Sequence, residues 1–274
     1  MTRRPLGPRP DPVPLSNRLL SLFVQAPVFF ASTAFFGSLS LAASFFEKDG
    51  KLQHRIAQAW ARASVAISSC PVTIIGVENL RKHAVAVYAC NHLSYMDTPV
   101  IFGSLPFQFR IVARHDLWKM PFIGGHLRRS GQVSVNVDNP RASISSLGSA
   151  VKTLKSGMPL FIFPEGGRTQ TGHPSIFLNG PAFMAIRAQV PMVPMALIGT
   201  HELLPIHTNQ FYPVPITLAI GEPIETTGYT MRQVDELTAR LRDEICRLYY
   251  AHSYLPAPEH PSLQAITETS ESNV

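Results

Sequence analysis

Residues 19–46, LLSLFVQAPVFFASTAFFGSLSLAASFF, contain no Asp, Glu, Lys or Arg. As one helix the run would be about 42 Å long, against about 30 Å of bilayer hydrocarbon. A tilted span fits that length. So does a re-entrant hairpin or a monotopic helix pair, with Pro27 and Gly37 as the expected break points. The run starts late and exceeds a usual leader core, which argues against a cleaved signal. Arg3, Arg4, Arg9 and Arg18 precede it, while Lys48, Lys51 and Arg55 follow, diluted by Glu47 and Asp49. That bias favours a cytoplasmic amino terminus.

Beyond the run, the hydrophobic period alternates between that of a helix and that of a strand. Leu52, Ile56, Trp60 and Ala63 mark a helix over 51–69, ended by Pro71. VTIIGVENL, HAVAVYACN, FRIVARHDL, GQVSVNV, MPLFIFPEG, VPMVPMALIGT and PITLAIGEPI read as strands with their exits. Between them, HLSYMDTPVIF, SISSLGSAVKTLKSG and GPAFMAIRAQ read as helices, and residues 231–250 form a long amphipathic one. This order predicts an α/β fold: a mixed, mostly parallel sheet flanked by helices on both faces, behind an amino-terminal membrane-associated segment. The predicted units are residues 1–50 (basic terminus and apolar segment), 51–255 (α/β domain) and 256–274 (polar, disordered tail).

Charged residues make up only 15% of the chain, so part of it is expected to meet something other than water. The net charge of +6 points to an anionic partner. The basic residues are scattered, without the stripe that nucleic-acid binding needs. Cys70, Cys90 and Cys246 are odd in number and far apart, which predicts neither a disulfide framework nor a CxxC metal site. His173 reads as a loop residue, and His115, His126, His201 and His207 show no ligand spacing, so no metal is expected. No GxGxxG or GxxxxGK[ST] pattern occurs.

Ligands in such folds gather at the carboxyl ends of strands. Three polar clusters stand at predicted strand ends: Asn91, His92 and Asp97; Arg110 and Arg114 with Lys119 nearby; and Glu165, Gly166, Gly167, Arg168 and Thr169. With a helix starting near Leu93, Asp97 would lie one turn in and could accept an N–H from His92, leaving the other ring nitrogen free as a base. Spacing alone equally allows a capping histidine and a first-turn aspartate. Cys90 should face the core, and no G-x-S-x-G elbow supplies a nucleophile. A His–Asp pair without a protein nucleophile suits direct attack by an activated substrate hydroxyl. Arg168 offers a planar fork to phosphate, and the adjacent glycines allow close backbone approach.

In these blocks the chain resembles the glycerolipid acyltransferases of the 1-acylglycerol-3-phosphate acyltransferase type. Their N-H-x4-D signature is matched by Asn91, His92 and Asp97. VARHDLWKMPFIGG with GQVSVNV resembles their second block, FPEGGRT their third, and Val193–Ala196 their V-P-x-x strand. The likeness covers roughly residues 50–225. It implies His92 as general base on an acceptor hydroxyl, oriented by Asp97. It also implies Glu165, Gly166 and Arg168 at a glycerol phosphate, with Asn91 beside them. Acyl-CoA or acyl carrier protein would supply the acyl thioester, a lysophosphatidic acid-like lipid would accept the acyl group (alternatively a lysophospholipid, another lysolipid or glycerol 3-phosphate), and no cofactor would be required. The catalytic domain would lie on the cytoplasmic side of the inner or cytoplasmic membrane. Two positions depart from the pattern. Ser134–Val137 stands where the family usually has F-I-D-R, so Arg141, Arg114 or Lys119 would have to replace the expected arginine. Gly167 stands where threonine is usual.

Overall fold

The computed structural model describes residues 6–47, 49–83, 85–136 and 140–258, with the side chains of 81 and 140–144 left aside. The expected tail beyond 258 therefore lies outside the described residues. Among the described residues, seven strands form one sheet: β1 (Val72–Ile75), β2 (Val87–Cys90), β3 (Arg110–Arg114), β4 (Val133–Val135), β5 (Leu160–Ile162), β6 (Met192–Ile198) and β7 (Ile216–Ile220). Their order is β1-β7-β6-β2-β5-β3-β4. Strands β2 to β6 run parallel, β7 is antiparallel to β6, and β1 pairs parallel with β7.

The short central strands are apolar on both sides because both faces are covered. Along β2, Tyr88 and Cys90 join one core, while Val87 and Ala89 join the other. The helix Asp97–Ser104, which follows β2, packs into the first core through Val100, Ile101 and Phe102. The helix Gly180–Ala188, which follows β5, packs into the second through Ala182, Met184 and Ala185. β2 leads one way along the sheet to β3, and β5 leads the other way to β6. Crossovers of one handedness running in opposite directions must use opposite faces. The chain therefore diverges at the carboxyl ends of adjacent β2 and β5, which opens a crevice there.

Two helices were not legible in the sequence. Ile123–Arg129 contains Gly124 and Gly125, which weaken a helical reading. Gly124 packs so closely on the Trp118 backbone that a side chain would not fit. Thr200–Leu203 is a single turn after β6.

The apolar run forms one continuous helix, Leu15–Ala43, instead of breaking at Pro27 or Gly37. A π-type turn at Ser21–Gln25 precedes Pro27 and accommodates its missing N–H. Gly37 is a contact point: a Cβ there would come 2.8 Å from Phe122 Cβ. The helix is long and apolar enough to cross a membrane, by length and composition. Its side chains are arranged in reverse of a helix packed in water. Ser21, Gln25, Ala26, Ser40 and Ala43 are buried, whereas Phe23, Phe30 and Phe35 are 70%, 61% and 63% exposed. Polar contacts pin it to the domain along its length. Ser21 Oγ donates to the Phe211 carbonyl, Gln25 Nε2 to that of Ile67, Trp60 Nε1 to Thr33 Oγ1, and Ser40 Oγ lies 2.6 Å from His126 Nδ1.

Candidate active site

The strand β2 ends at Cys90, which is fully buried as expected, and its thiol is pushed well above the usual range by burial. Asn91 follows. It was expected beside the acceptor, but it is buried and braces β2 against β6. Its Nδ2 donates to the Leu197 carbonyl at 2.9 Å, and its Oδ1 accepts the Leu197 N–H at 2.8 Å.

The next helix begins at Asp97 itself, not near Leu93. Residues between them turn instead, so the Asp97 carboxylate points back over the turn. Its Oδ2 lies 2.8 Å from His92 Nδ1 and accepts the N–H groups of Leu93 at 2.7 Å and Ser94 at 2.8 Å. Asp97 is fully buried, whereas the His92 side chain keeps 16% exposure. A carboxylate accepts at Nδ1, so Nδ1 carries the ring proton and Nε2 is left as the basic atom.

The loop after β5 meets this turn directly. Glu165 Oε1 accepts the His92 N–H at 2.7 Å. The Thr169 N–H donates to the His92 carbonyl at 3.2 Å. The Phe163 ring stacks on the imidazole, with centroids 3.9 Å apart and planes 10° from parallel. The Arg168 guanidinium stands 3.9 Å above the Tyr95 ring. A guanidinium stacked by its face keeps its N–H edges free for an anion. Gly166 adopts φ +69°, a left-handed conformation that glycine takes without cost. Gly167 has an ordinary φ, with open space where a side chain would stand. Burial pushes the Glu165 carboxyl up to about 8, opposed by hydrogen bonds from His92 and Ser175.

Thus His92, Asp97, Glu165, Gly166 and Arg168 form one site at the β2–β5 crevice. Arg114 ends β3, the other neighbour of β5, at the same edge of the sheet; its Nε lies 3.3 Å from Asp116 Oδ1. Lys119 follows on an exposed turn. Arg110 begins β3 at the opposite edge, where it binds the carbonyls of Ser130 and Asp49, so it is not part of this site. Arg141 lies on the helix Pro140–Lys155 after β4, and its side chain is outside the described residues. Among the described residues, no group of three His, Cys, Asp or Glu is placed to hold a metal. Phe163, Tyr95 and Ser175 were missed. Phe163 opens the third block and Tyr95 lies inside the first, so both were visible there as aromatics without an assigned partner.

An acyltransferase family model matches residues 71–198, which include both halves of this site. A 1-acyl-sn-glycerol-3-phosphate acyltransferase from Limnanthes douglasii is 30% identical over 71% of this chain and 67% of its own length. Another from Chlamydomonas reinhardtii is 32% identical over 79% of this chain and 68% of its own. The chain belongs to the 1-acyl-sn-glycerol-3-phosphate acyltransferase family. The crystal structure of the 1-acyl-sn-glycerophosphate (LPA) acyltransferase PlsC from Thermotoga maritima matches 85% of the chain and 94% of its own, with a TM-score of 0.72 and 26% identity. For this family member, the matched region begins next to β1 and ends with β6. It contains the five parallel strands and both loops of the crevice.

Proposed function

We propose that the protein transfers an acyl group from a thioester to the free sn-2 hydroxyl of 1-acyl-sn-glycerol 3-phosphate, giving phosphatidic acid. The observation that carries this reading is the direct hydrogen bond between the His92 turn and the Glu165–Arg168 loop, in a chain of this family. It joins a base to an anion-binding guanidinium.

His92 Nε2 takes the hydroxyl proton as the oxygen attacks the thioester carbonyl. The C–O bond forms and the carbonyl pair moves to oxygen. The tetrahedral intermediate then collapses, the C–S bond breaks, and the thiolate leaves with the proton returned by the imidazolium. Asp97 holds the tautomer and faces the charge that develops on the ring. Arg168 binds the acceptor phosphate through its free edge, helped by Arg114 at the end of β3, or by Lys119 or Arg141 from the segments that follow. Either acyl-CoA or acyl carrier protein presents the thioester that this step needs.

The exposed apolar face of Leu15–Ala43 supports attachment parallel to a membrane surface rather than a crossing. A helix pinned to the domain at Ser21 and Ser40 cannot also leave it as a free span. Arg129 lies 5.2 Å from the centre of the Phe45 ring, which places a cation beside the apolar face, where anionic headgroups would sit. The charge bias of the terminus supports a cytoplasmic position for the catalytic domain.

The test is an assay of the purified protein crossing acyl-CoA and acyl carrier protein donors with lysophosphatidic acid, a non-phosphorylated lysolipid and glycerol 3-phosphate. Acylation of lysophosphatidic acid is expected with at least one donor. Acylation of the non-phosphorylated acceptor alone would overturn the assignment.

A further inference from the structure

Residues 163–179 connect β5 to the next helix without regular structure. A 17-residue connection of this kind, counted from those limits, must be held by something other than its own backbone bonds. The long carboxy-terminal helix Val234–His252 holds it at three heights. Asp235 Oδ1 accepts from Asn179 Nδ2 at 2.7 Å, Arg242 Nε donates to the Ser175 carbonyl at 3.3 Å, and Tyr249 Oη donates to the Gly172 carbonyl at 2.6 Å. Positions 235, 242 and 249 are seven apart and so share one helix face. The loop descends along that face antiparallel to the helix.

The middle contact leads into the site. Ser175 receives Arg242 on its carbonyl and gives both its N–H, at 3.1 Å, and its hydroxyl, at 2.8 Å, to Glu165 Oε2. The other oxygen of Glu165 holds the His92 N–H. We propose that Ser175 and Arg242 are positioning residues for the reaction, acting through Glu165 on the backbone that carries the base. This rests on the acyl-transfer reading above for its catalytic consequence. The Glu165 carboxyl group is the shared element. One of its oxygens fixes the loop and the other fixes residue 92, so slack at Ser175 becomes displacement of the imidazole relative to Arg168.

The experiment uses the full chain and two readouts: hydrogen exchange at the His92 amide, and kcat per folded protein with whichever acceptor the unmodified protein turns over. Ser175→Ala is expected to speed His92 exchange and lower kcat about tenfold, as loss of reactive alignment does. Ser175→Thr, which keeps the hydroxyl, is expected to restore both. Arg242→Lys tests the outer link without removing charge and should give the same changes to a smaller degree. The proposal is overturned if kcat stays within twofold of the unmodified protein, if exchange is unchanged while kcat falls, or if Ser175→Thr fails to recover both. Exchange is read without substrate. A wrong acceptor assignment therefore shows in the donor–acceptor panel alone, and a wrong positioning role shows here.

Discussion

His92 Nδ1 and Asp97 Oδ2 are 2.8 Å apart, and the same oxygen receives two backbone N–H groups from the intervening turn. One carboxylate oxygen thus shapes the turn and orients the ring together. Asp97→Asn keeps the volume but loses the charge that faces the imidazolium. Its kcat is expected to fall about 10³-fold with little change in acceptor KM. His92→Ala should abolish turnover while acceptor binding persists. Steady-state kinetics with an acceptor-binding measurement check both. Retained turnover in His92→Ala would remove the proposed base.

Arg168 and Tyr95 come from different blocks and meet face to face. An exposed contact of this type contributes about 0.5–1 kcal/mol. Tyr95→Leu should raise the acceptor KM roughly two- to fivefold and leave kcat nearly unchanged. Arg168→Lys should raise KM further, because an ammonium supplies no planar fork. Equal losses in kcat and KM for Tyr95→Leu would mean that the ring serves the chemistry instead.

The Glu165 carboxyl, raised by burial to about 8, binds its proton more tightly in the folded chain than in the unfolded one. Between about pH 4.5, the ordinary value, and about 8 the folded state retains a proton that the unfolded chain releases. Stability from this group therefore falls as pH rises through that window. Glu165→Gln removes the slope. Melting curves at pH 5 and pH 8 should show the variant gaining on the unmodified protein at the higher pH, and an unchanged gap would contradict the shift.

The two adjacent glycines of FPEGGRT are expected to behave differently. Gly166 has φ +69°, and a Cβ there would lie 2.8 Å from Leu178 Cδ1. Gly166→Ala should cost about 1–2 kcal/mol from the left-handed backbone alone. Gly167→Thr, which inserts the residue usual in the family, meets open space and should change stability by less than about 1 kcal/mol. Denaturant unfolding separates the two cases.

Phe30 and Phe35 project from the amino-terminal helix into solvent. Phe30→Glu combined with Phe35→Glu should leave the fold intact and release the protein from anionic vesicles in a flotation assay. Retained binding would place the attachment elsewhere.

Much of the crevice could be read from sequence because each half is local. His92 and Asp97 share a turn, and Glu165 to Arg168 share another. The contacts between the halves were not legible. The Glu165–His92 bond spans 73 positions, and the Arg242–Ser175 bond spans 67. Nor did the strand pattern assign arginines to edges. Arg110 and Arg114 both border β3, but four residues of extended chain separate them by about 13 Å and put them at opposite edges. Asn91 looked like a ligand because it adjoins His92, whereas its amide satisfies the backbone of the neighbouring strand. The apolar helix was visible as a run of uncharged residues, but the burial of its serines and glutamine depends on the surface it meets.

Ala89 of β2 lies opposite Ile162 of β5, and His92 and Glu165 each lie three residues beyond that pair. The coarse separation of the two half-sites is thus inherited from strand registration, and the Glu165–Ser175 contacts adjust it finely. Sliding one strand by a single residue would turn Tyr88 and Val87 to the wrong cores, so the register itself has no intermediate settings. Insertions after Arg114, where β3 leaves the sheet at this edge, can reshape what enters the crevice. The distance over which the proposed proton and acyl transfers would occur is set first by the sheet.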